Sequence, residues 1–280
     1  MSARPVLVAS DLDQTLVYSP AAAARGPHRP SRVVEVLAGK TISLLAEQTE
    51  RGLVELAGRV VFVPATTRTR AQFERLDLPV RSRFTVVASG AVLLVDGTPD
   101  LSWSRSVAAR IAGESAPVAA LRGVLEGYLG REWLLRVRDA DDTFLVAAVD
   151  RELLHADELA AVTSSCEALG WRAVHQGRKL YVLPSGLDKA TAVAHVAERV
   201  ADELGGDPVL LAAGDTLLDW GLLEIATHAW VPAGSELDRL GRTAPHIRRT
   251  GQPGLGAGEE IVAAWLEHAS GARQPSQVAT

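Results

Sequence analysis

The sequence contains almost no cysteine and no long apolar run. Its single cysteine in 280 residues, Cys166, cannot form an internal disulfide, and no Cys-x-x-Cys pair or Cys/His cluster offers a zinc site. No segment reaches the ~18 uninterrupted apolar residues of a transmembrane helix, and the N-terminal residues lack the apolar region and cleavage site of a secretory signal. These absences exclude structural zinc and predict a cytoplasmic protein without a membrane partner.

Basic residues are scattered along the chain. The 29 Lys and Arg residues are outnumbered by 34 Asp and Glu residues, and none of them form the basic stripe that neutralises a nucleic-acid backbone. Nucleic acid is therefore excluded as a predicted partner. Glycine and proline are dispersed without a period, which excludes a repeat array. With 47% hydrophobic residues, the chain is long enough to bury one large domain or one domain carrying a smaller one.

Several apolar runs end at polar residues, as buried parallel strands do at the edge of a sheet. These runs are residues 6–9 before Asp11 and Asp13, residues 59–65 before Thr66, and residues 208–213 before Asp215 and Asp219. A predicted helix over residues 189–204 begins at Lys189. Because the carboxyl ends of parallel strands face one crevice, we expect these polar groups to meet there.

The pattern changes between about residues 101 and 183. There the sequence predicts helix, strand, strand, helix, strand, strand, which implies an antiparallel sheet with helices on one face. We therefore predict an α/β protein with a Rossmann-like parallel sheet and a second, small α+β domain. The predicted limits are residues 1–97 and 186–268 for the core domain, 98–185 for the small domain and 269–280 for a disordered tail.

The polar groups at the predicted crevice suit phosphoryl chemistry. A carboxylate that attacks a phosphate meets a repulsion of about 4 kcal/mol per charge pair at ~4 Å and an effective dielectric near 20, so a divalent cation is needed. Hard carboxylate oxygens suit Mg²⁺. Those oxygens come from Asp11, Asp215 and Asp219. Lys189 and Thr66 would hold phosphoryl oxygens, and Asp13 is placed to protonate the leaving group and then to deprotonate water.

Four segments, in this order, look like the motifs of the haloacid-dehalogenase superfamily. They are DLDQT at residues 11–15, VPAT at 63–66, GLDKATAV around Lys189, and GDTLLD at 214–219. The resemblance runs from residue 6 to about residue 265. It implies that Asp11 is the nucleophile that becomes an aspartyl-phosphate and that Asp13 is the general acid/base and a metal ligand through its carbonyl oxygen. It also implies that Asp215 binds Mg²⁺ and that Asp219 supports the metal or Lys189.

The small domain resembles the type II cap of that superfamily, since it falls between the second and third motifs. The segment HQGRKLYVLPSGLDKATAV at residues 175–193 is similar to the cap-to-core return of mannosylphosphoglycerate and sucrose-phosphate phosphatases, and DLDQTLVYS and VPATTRT look like phosphatase-type members encoded in tellurite-resistance clusters. Caps select the leaving group. The residues expected to bind substrate are Thr67, Arg68, Ser89, Gly90, Arg178 and Lys179.

The sequence departs from the family pattern at residues beside the catalytic groups, whereas the catalytic groups themselves are kept. The departures are Gln14 and Thr67 where glycine is usual, and Ser89 and Leu218 where asparagine is common. None of them removes a catalytic group, so the chemistry is expected to be intact while the familiar substrates cannot be assumed.

Each candidate also has a plain structural interpretation. The two aspartates of DLDQT would suit a turn, Thr66 would suit the N-cap of a helix, and Lys189 would suit the solvated first turn of a helix. Arg68, Arg178 and Lys179 would suit exposed positions beside turns. The ordered set of four motifs favours the functional interpretation for the aspartates and Lys189 and leaves both interpretations open for the three other basic residues. Thr66 is expected to have both roles, because helix N-termini attract anions.

The predicted function is Mg²⁺-dependent hydrolysis of a small phosphomonoester, such as a sugar phosphate, through an aspartyl-phosphate. A phosphomutase or phosphotransferase of the same fold remains an alternative, as does a catalytically silent sensor that binds a phosphorylated metabolite. Carbon–halogen hydrolysis is disfavoured, because a halide leaves without a proton and that reaction needs neither Asp13 nor a metal.

Overall fold

The computed structural model describes residues 4–140 and 142–270. The chain divides into two compact units, a core unit (Met1–Asp100 and Asp188–Thr280) and a cap unit (Leu101–Leu187). These divisions lie a few residues beyond the limits predicted from the sequence. The predicted disordered tail lies outside the described residues from position 271 onward.

The described residues form fifteen strands and ten α-helices. The strands are β1 (Val6–Ser10), β2 (Val17–Tyr18), β3 (Ser31–Leu37), β4 (Lys40–Ala46), β5 (Val61–Pro64), β6 (Phe84–Val87), β7 (Val92–Val95), β8 (Thr98–Pro99), β9 (Leu134–Ala140), β10 (Phe144–Val149), β11 (Trp171–Gln176), β12 (Lys179–Pro184), β13 (Val209–Ala213), β14 (His228–Ala233) and β15 (Ile247–Pro253). The helices are α1 (Pro20–Ala23), α2 (Glu47–Leu56), α3 (Arg70–Phe73), α4 (Leu101–Glu114), α5 (Val118–Glu126), α6 (Ala156–Glu167), α7 (Lys189–Leu204), α8 (Trp220–Glu224), α9 (Glu236–Arg239) and α10 (Leu255–Ala269).

A five-stranded parallel sheet forms the centre of the core unit, in the order β15-β14-β13-β1-β5. Every residue of β1 is buried, as expected for a strand with helices on both faces of its sheet. In the register of the sheet, Ser10 at the end of β1 lies between Ala213 of β13 and Pro64 of β5. The predicted α/β class with a Rossmann-like parallel sheet is therefore confirmed.

Two small antiparallel sheets complete the core unit, in the orders β2-β4-β3 and β6-β7-β8. The first includes the β3–β4 hairpin, and the second includes the antiparallel pair of β6 and β7. The helix after β5 is α3, which ends at Phe73 after a single turn, although Thr69 and Gln72 form a full capping box at its start. The chain leaves the helix because the Asp77 main-chain N–H donates to the Val34 carbonyl oxygen in β3, at 2.8 Å.

The cap unit is a four-stranded antiparallel sheet, in the order β11-β12-β10-β9, with three helices. The predicted order had one helix too few, because two helices precede β9. Pro117 lies at their boundary, where its missing N–H and fixed φ prevent α4 from continuing into α5. Among the helices of the described residues, none combines the length and the apolar character needed to cross a bilayer.

Candidate active site

Three carboxylates meet where β1 and β13 end. Asp11 follows β1 directly, and its main-chain N–H donates to the carbonyl oxygen of Ala213, the last residue of β13, at 2.9 Å. Asp215 and Asp219 follow β13. Each of the three aspartates is buried, and each offers a carboxylate oxygen within 4.8 Å of the other two. The sequence placed these residues at one crevice, and the structure brings them together.

Lys189 is buried among these carboxylates. Its Nζ lies 2.7 Å from Oδ1 of Asp11 and 2.6 Å from Oδ1 of Asp219, and the side chain is only 1% exposed. Lys189 is the first residue of α7, whose start is fixed by Asp188, since the Asp188 carboxylate accepts a hydrogen bond from the Ala190 main-chain N–H at 2.6 Å. A solvated surface lysine is therefore excluded here.

The turn after β13 holds Asp219 firmly. Its Oδ2 accepts hydrogen bonds from the main-chain N–H groups of Asp215 and Thr216 and from the Thr216 hydroxyl, at 3.0–3.1 Å. Gly214 is required for this packing, because a Cβ there would lie 2.3 Å from Cβ of Asp219. Asp219 is thus preorganised to accept the hydrogen bond from Nζ of Lys189 through Oδ1.

The cluster carries an excess of negative charge. Burial raises the pKa of Asp11 to about 7, with Lys189 opposing the shift, and burial followed by the charge of Asp11 raises the pKa of Asp215 well above its usual value. Burial disfavours the charged form of Lys189, but Asp11 and Asp219 outweigh it and raise the lysine pKa. Three carboxylates around one ammonium leave two negative charges uncompensated when all are ionised. Hard oxygen donors with this charge fit Mg²⁺.

Asp13 is not part of the three-carboxylate group. Both of its carboxylate oxygens accept hydrogen bonds from Arg68, Oδ2 from Nε at 2.7 Å and Oδ1 from Nη2 at 2.8 Å. The Asp13 side chain is 46% exposed, whereas Arg68 is nearly buried. A metal contact through the main-chain carbonyl oxygen of Asp13 stays a prediction.

Arg68 is engaged with the protein on all sides. Besides Asp13, its guanidinium donates to Oε2 of Glu35 at 2.8 Å, to the Ser43 hydroxyl at 3.2 Å and to the Gln72 carbonyl oxygen at 3.3 Å. Arg68 was expected to contact substrate. Its contact with substrate stays a prediction, and its hydrogen bonds in the structure connect Asp13 to the β3–β4 hairpin.

Sequence reasoning missed Glu35. This residue is 2% exposed, and its carboxylate accepts from Arg68 and, at 3.1 Å, from Nε of Arg75. A signal existed, because Glu35 is an acidic residue inside the apolar segment of β3, and Arg68 and Arg75 follow the VPAT motif. A buried carboxylate requires such partners.

Thr66 follows β5 at the same edge of the sheet as Asp11. It is fully buried, its main-chain N–H donates to Val86 at 2.9 Å, and its hydroxyl accepts from the Arg68 main-chain N–H at 3.1 Å. The N-cap of the next helix is Thr69, so the expected N-cap role of Thr66 is wrong, and its phosphate-binding role stays a prediction.

The Ser89–Gly90 turn packs against the start of α7. Ser89 has a positive φ of 57° and is buried, and its main-chain N–H donates to the Thr66 carbonyl oxygen at 3.0 Å. A Cβ on Gly90 would lie 2.4 Å from the Asp188 carbonyl oxygen, so only glycine fits. This turn therefore lies beside Thr66 and Lys189, and its contact with substrate stays a prediction.

The remaining predicted substrate residues lie in two places. Thr67 is half-buried directly after Thr66. Arg178 and Lys179 belong to the cap unit, where they are exposed at the turn between β11 and β12. The catalytic and metal candidates therefore all belong to the core unit, whereas the two basic substrate candidates belong to the cap unit.

Comparison with known proteins identifies the fold. No protein-family model matches the sequence, and no curated protein matches it. Among solved structures, the chain is similar to the sucrose-phosphatase of Synechocystis sp. PCC6803, with a TM-score of 0.64, 15% identity and coverage of 94% of this chain and 98% of that one. It is also similar to a phosphatase of the haloalkanoate (HAD) superfamily from Bacteroides thetaiotaomicron, with a TM-score of 0.54, 15% identity and 95% coverage of both chains.

A third similar structure is a haloacid dehalogenase-like hydrolase protein from Bacillus subtilis, with a TM-score of 0.55, 14% identity and coverage of 98% of this chain and 95% of that one. These likenesses extend over both units of the chain. At such identities they establish the fold, and the chain therefore has the α/β fold of the haloacid-dehalogenase hydrolases, with a core unit and an inserted cap unit.

Proposed function

We propose that the protein is a Mg²⁺-dependent phosphatase that transfers the phosphoryl group of a small phosphomonoester to Asp11 and then to water. The observation that carries the proposal is the buried group of Asp11, Asp215 and Asp219 around Lys189. An uncompensated carboxylate group of this kind is costly in a core, and it suits a site built for a cation and a phosphate. The shared fold with phosphatases adds support.

The first half of the reaction uses Asp11 and Asp13. Lys189 holds Oδ1 of Asp11, which leaves Oδ2, with only a long 3.3 Å hydrogen bond from Thr15, as the attacking oxygen. A bond forms between Oδ2 and phosphorus as the bond from phosphorus to the leaving oxygen breaks. For this step Asp13 must give up at least one of its two hydrogen bonds with Arg68 and take up a proton from solvent, which it then passes to that oxygen, so the alcohol leaves neutral.

The second half restores Asp11. Asp13, now a carboxylate, takes a proton from water, and the water oxygen attacks phosphorus. The bond between phosphorus and Oδ2 breaks, inorganic phosphate leaves, and both aspartates return to their starting states. Thr66 and Lys189 are placed to hold phosphoryl oxygens during both steps.

Asp11 and Asp215 would hold Mg²⁺, with Asp219 close by and the main-chain carbonyl oxygen of Asp13 as a further ligand. When bound, the cation supplies charge neutralisation between the attacking carboxylate and the phosphoryl group. Asp219 is already occupied by Lys189 and by three donors of its own turn, so its part is to fix Lys189.

Sugar phosphates are the proposed substrate class. The sucrose-phosphatase with the same fold was solved with sucrose and phosphate bound, which is a statement about that protein and supports the choice of compounds to test. A cytoplasmic location stays a prediction from the sequence.

The test is release of inorganic phosphate from a panel of sugar phosphates, nucleotides and phosphoglycerate derivatives, with and without Mg²⁺. We expect turnover of at least one compound, lost on adding EDTA and lost in Asp11→Asn. Asp207→Asn, an exposed aspartate of the same unit, is the matched control and should keep full activity. Full activity of Asp11→Asn would refute the proposal.

The same assay separates the alternatives. Adding a sugar acceptor in excess would divert the phosphoryl group from water if the protein were a phosphotransferase or mutase. Tight binding of one panel compound without any turnover would instead indicate a catalytically silent sensor.

A further inference from the structure

One face of the cap sheet packs against helices of the cap unit, and the opposite face carries a different set of side chains. On the first face, Leu145 and Ala147 of β10 pair with Val182 and Leu180 of β12, and all four side chains are fully buried. Helices α5 and α6 pack against this sheet. Because successive side chains of a strand alternate, the residues between these four point to the opposite face.

The opposite face carries cations in two adjacent rows. The strand register gives a first row of Arg136, Ala148, Lys179 and Gln176 and a second row of Arg138, Val146, Tyr181 and Val174. Neither row contains an acidic residue. The Nζ of Lys179 lies 3.4 Å from the Tyr181 hydroxyl and 5.7 Å from the centre of its ring, so the lysine extends along the face.

A depression of about 360 Å³ opens at the end of the first row. We call it the cationic depression, and it is lined by Leu135, Arg136, Ala148, Val149 and Arg178. The small Ala148 side chain leaves room between its larger neighbours in the row. The turn that bears Arg178 is held in place, because the Arg178 carbonyl oxygen accepts from the Val149 main-chain N–H at 2.9 Å.

The arginines that line the cationic depression, and Arg138 in the second row, have no acidic partner among the described residues. In the part of the chain that the structure describes, Arg136, Arg138 and Arg178 form no ion pair. On the other face, by contrast, Arg122 pairs with Asp139 at 2.8 Å. Unpaired cations concentrated on one face repel each other, although the chain as a whole has more acidic than basic residues. An anion bound between them would relieve that repulsion.

We propose that the cationic depression binds a small oxyanion, the phosphate or carboxylate group of a metabolite. The planar guanidinium fork of arginine matches the paired oxygens of both groups, and Arg136 and Arg178 present two such forks to one depression. Its volume lies within the range of about 300–1,000 Å³ that is usual for small-molecule sites. Two short rows on a protein of net charge −5 do not make the extended basic stripe that a nucleic acid requires.

The first experiment locates the anion without any need for turnover. Full-length protein is treated with phenylglyoxal, which modifies arginine, in the presence and absence of sodium malonate or inorganic phosphate, and the modified positions are mapped by mass spectrometry. We expect either anion to slow modification of Arg136 and Arg178 and to leave Arg105, an exposed arginine of α4 in the same unit, unaffected. Equal modification of Arg136 and Arg178 with and without the anions would overturn the proposal.

The second experiment measures affinity. Loss of one charge-assisted hydrogen bond weakens binding by about tenfold or more, so half-maximal protection of Arg178 should need about tenfold more malonate in Arg136→Gln. The control Arg105→Gln should match the wild type. An unchanged concentration in Arg136→Gln would contradict the proposal, and circular dichroism of each variant checks that it is folded.

A third arm distinguishes the source of the anion, and it alone rests on the proposed phosphatase function. Arg136→Gln and Arg178→Gln are assayed on a phosphate ester with a carboxylate in its leaving group and on p-nitrophenyl phosphate. A selective loss of about tenfold in kcat/KM for the carboxylate ester assigns the site to the substrate. Unchanged kinetics beside lost protection assigns it to a separate metabolite. If wild-type protein hydrolyses neither ester, the phosphatase proposal fails while the protection result still decides the anion site.

Discussion

The core unit and the cap unit both concentrate charged side chains, but they balance those charges in different ways. In the core unit, Lys189 lies buried between Asp11 and Asp219, with hydrogen bonds on both sides. In the cap unit, Arg136 and Arg178 are exposed and have no acidic partner in the described chain. Burial makes an unpaired charge costly, whereas water stabilises an exposed one. The core cluster is therefore preorganised and has an excess of negative charge that suits a cation, whereas the cationic depression has an excess of positive charge that suits an anion.

Replacing a lysine in each unit should give the largest contrast. Lys189→Met leaves buried carboxylates without their counter-charge, and we expect a loss of about 3–5 kcal/mol in the free energy of unfolding. Lys179→Met, at the exposed cap position, should change it by less than about 0.5 kcal/mol. Urea denaturation of both variants in EDTA measures the two values. Similar losses in the free energy of unfolding for the two variants would contradict the difference between the two units.

The next effect concerns the proposed Mg²⁺ site. Asp215→Asn removes one carboxylate oxygen of the proposed Mg²⁺ site and keeps the size of the side chain, so phosphate release should fall by about a hundredfold or more. Mg²⁺ should raise the melting temperature of the wild type and not of this variant, because a ligand of the folded state stabilises it. Asp207→Asn serves as the control in both measurements. A normal Mg²⁺ response in Asp215→Asn would place the cation elsewhere.

A smaller effect is expected at Arg68. Arg68→Lys replaces the two parallel hydrogen bonds to Asp13 by a single point charge, so the acid/base group is held less precisely. We expect kcat for an alkyl phosphate to fall by about tenfold, and kcat for p-nitrophenyl phosphate to fall much less, because its leaving group needs little help from a general acid.

The control for Arg68 is Arg70→Lys. Arg70 is the first residue of α3 and forms an exposed ion pair with Glu74, the C-cap residue of the same helix. This substitution should leave both rates unchanged. Equal losses on the two esters in Arg68→Lys would indicate a structural role for Arg68 unrelated to protonation of the leaving group.

The smallest expected effect is a difference in salt dependence between anion binding in the cap unit and phosphate release in the core unit. Exposed charges are screened as the Debye length shrinks from about 30 Å at 0.01 M to about 8 Å at 0.15 M ionic strength, while buried charges are screened much less. Protection of Arg178 by malonate should therefore weaken a few-fold over this range, and phosphate release from p-nitrophenyl phosphate should change little. The reverse order of salt sensitivity would break the comparison.

The convergence of the core site was predictable because parallel strands end at one edge of a sheet. Lys189 and Asp11 are 178 residues apart, and their motifs still indicated that they meet. The pairing of Asp13 with Arg68 was not predictable, since it depends on the conformation of two turns that lie 55 residues apart. The burial of Glu35 depends on the same arrangement.

The cap was predictable only in part. Arg136 and Arg138 alternate in sequence, which indicates a common face of one strand. That this face also carries Lys179 follows from the register of β9, β10 and β12, and a single sequence does not specify that register. Pro117 signalled a helix boundary, and the extra helix follows from it.

The covalent intermediate gives the most direct test of the central claim. Protein turning over p-nitrophenyl phosphate with Mg²⁺ is quenched in acid, digested and mapped by mass spectrometry, with and without hydroxylamine, which cleaves acyl phosphates. We predict a phosphoryl group on Asp11 that hydroxylamine removes, and none in Asp11→Asn. A phosphoryl group on any other residue, or steady turnover by Asp11→Asn, would contradict the account.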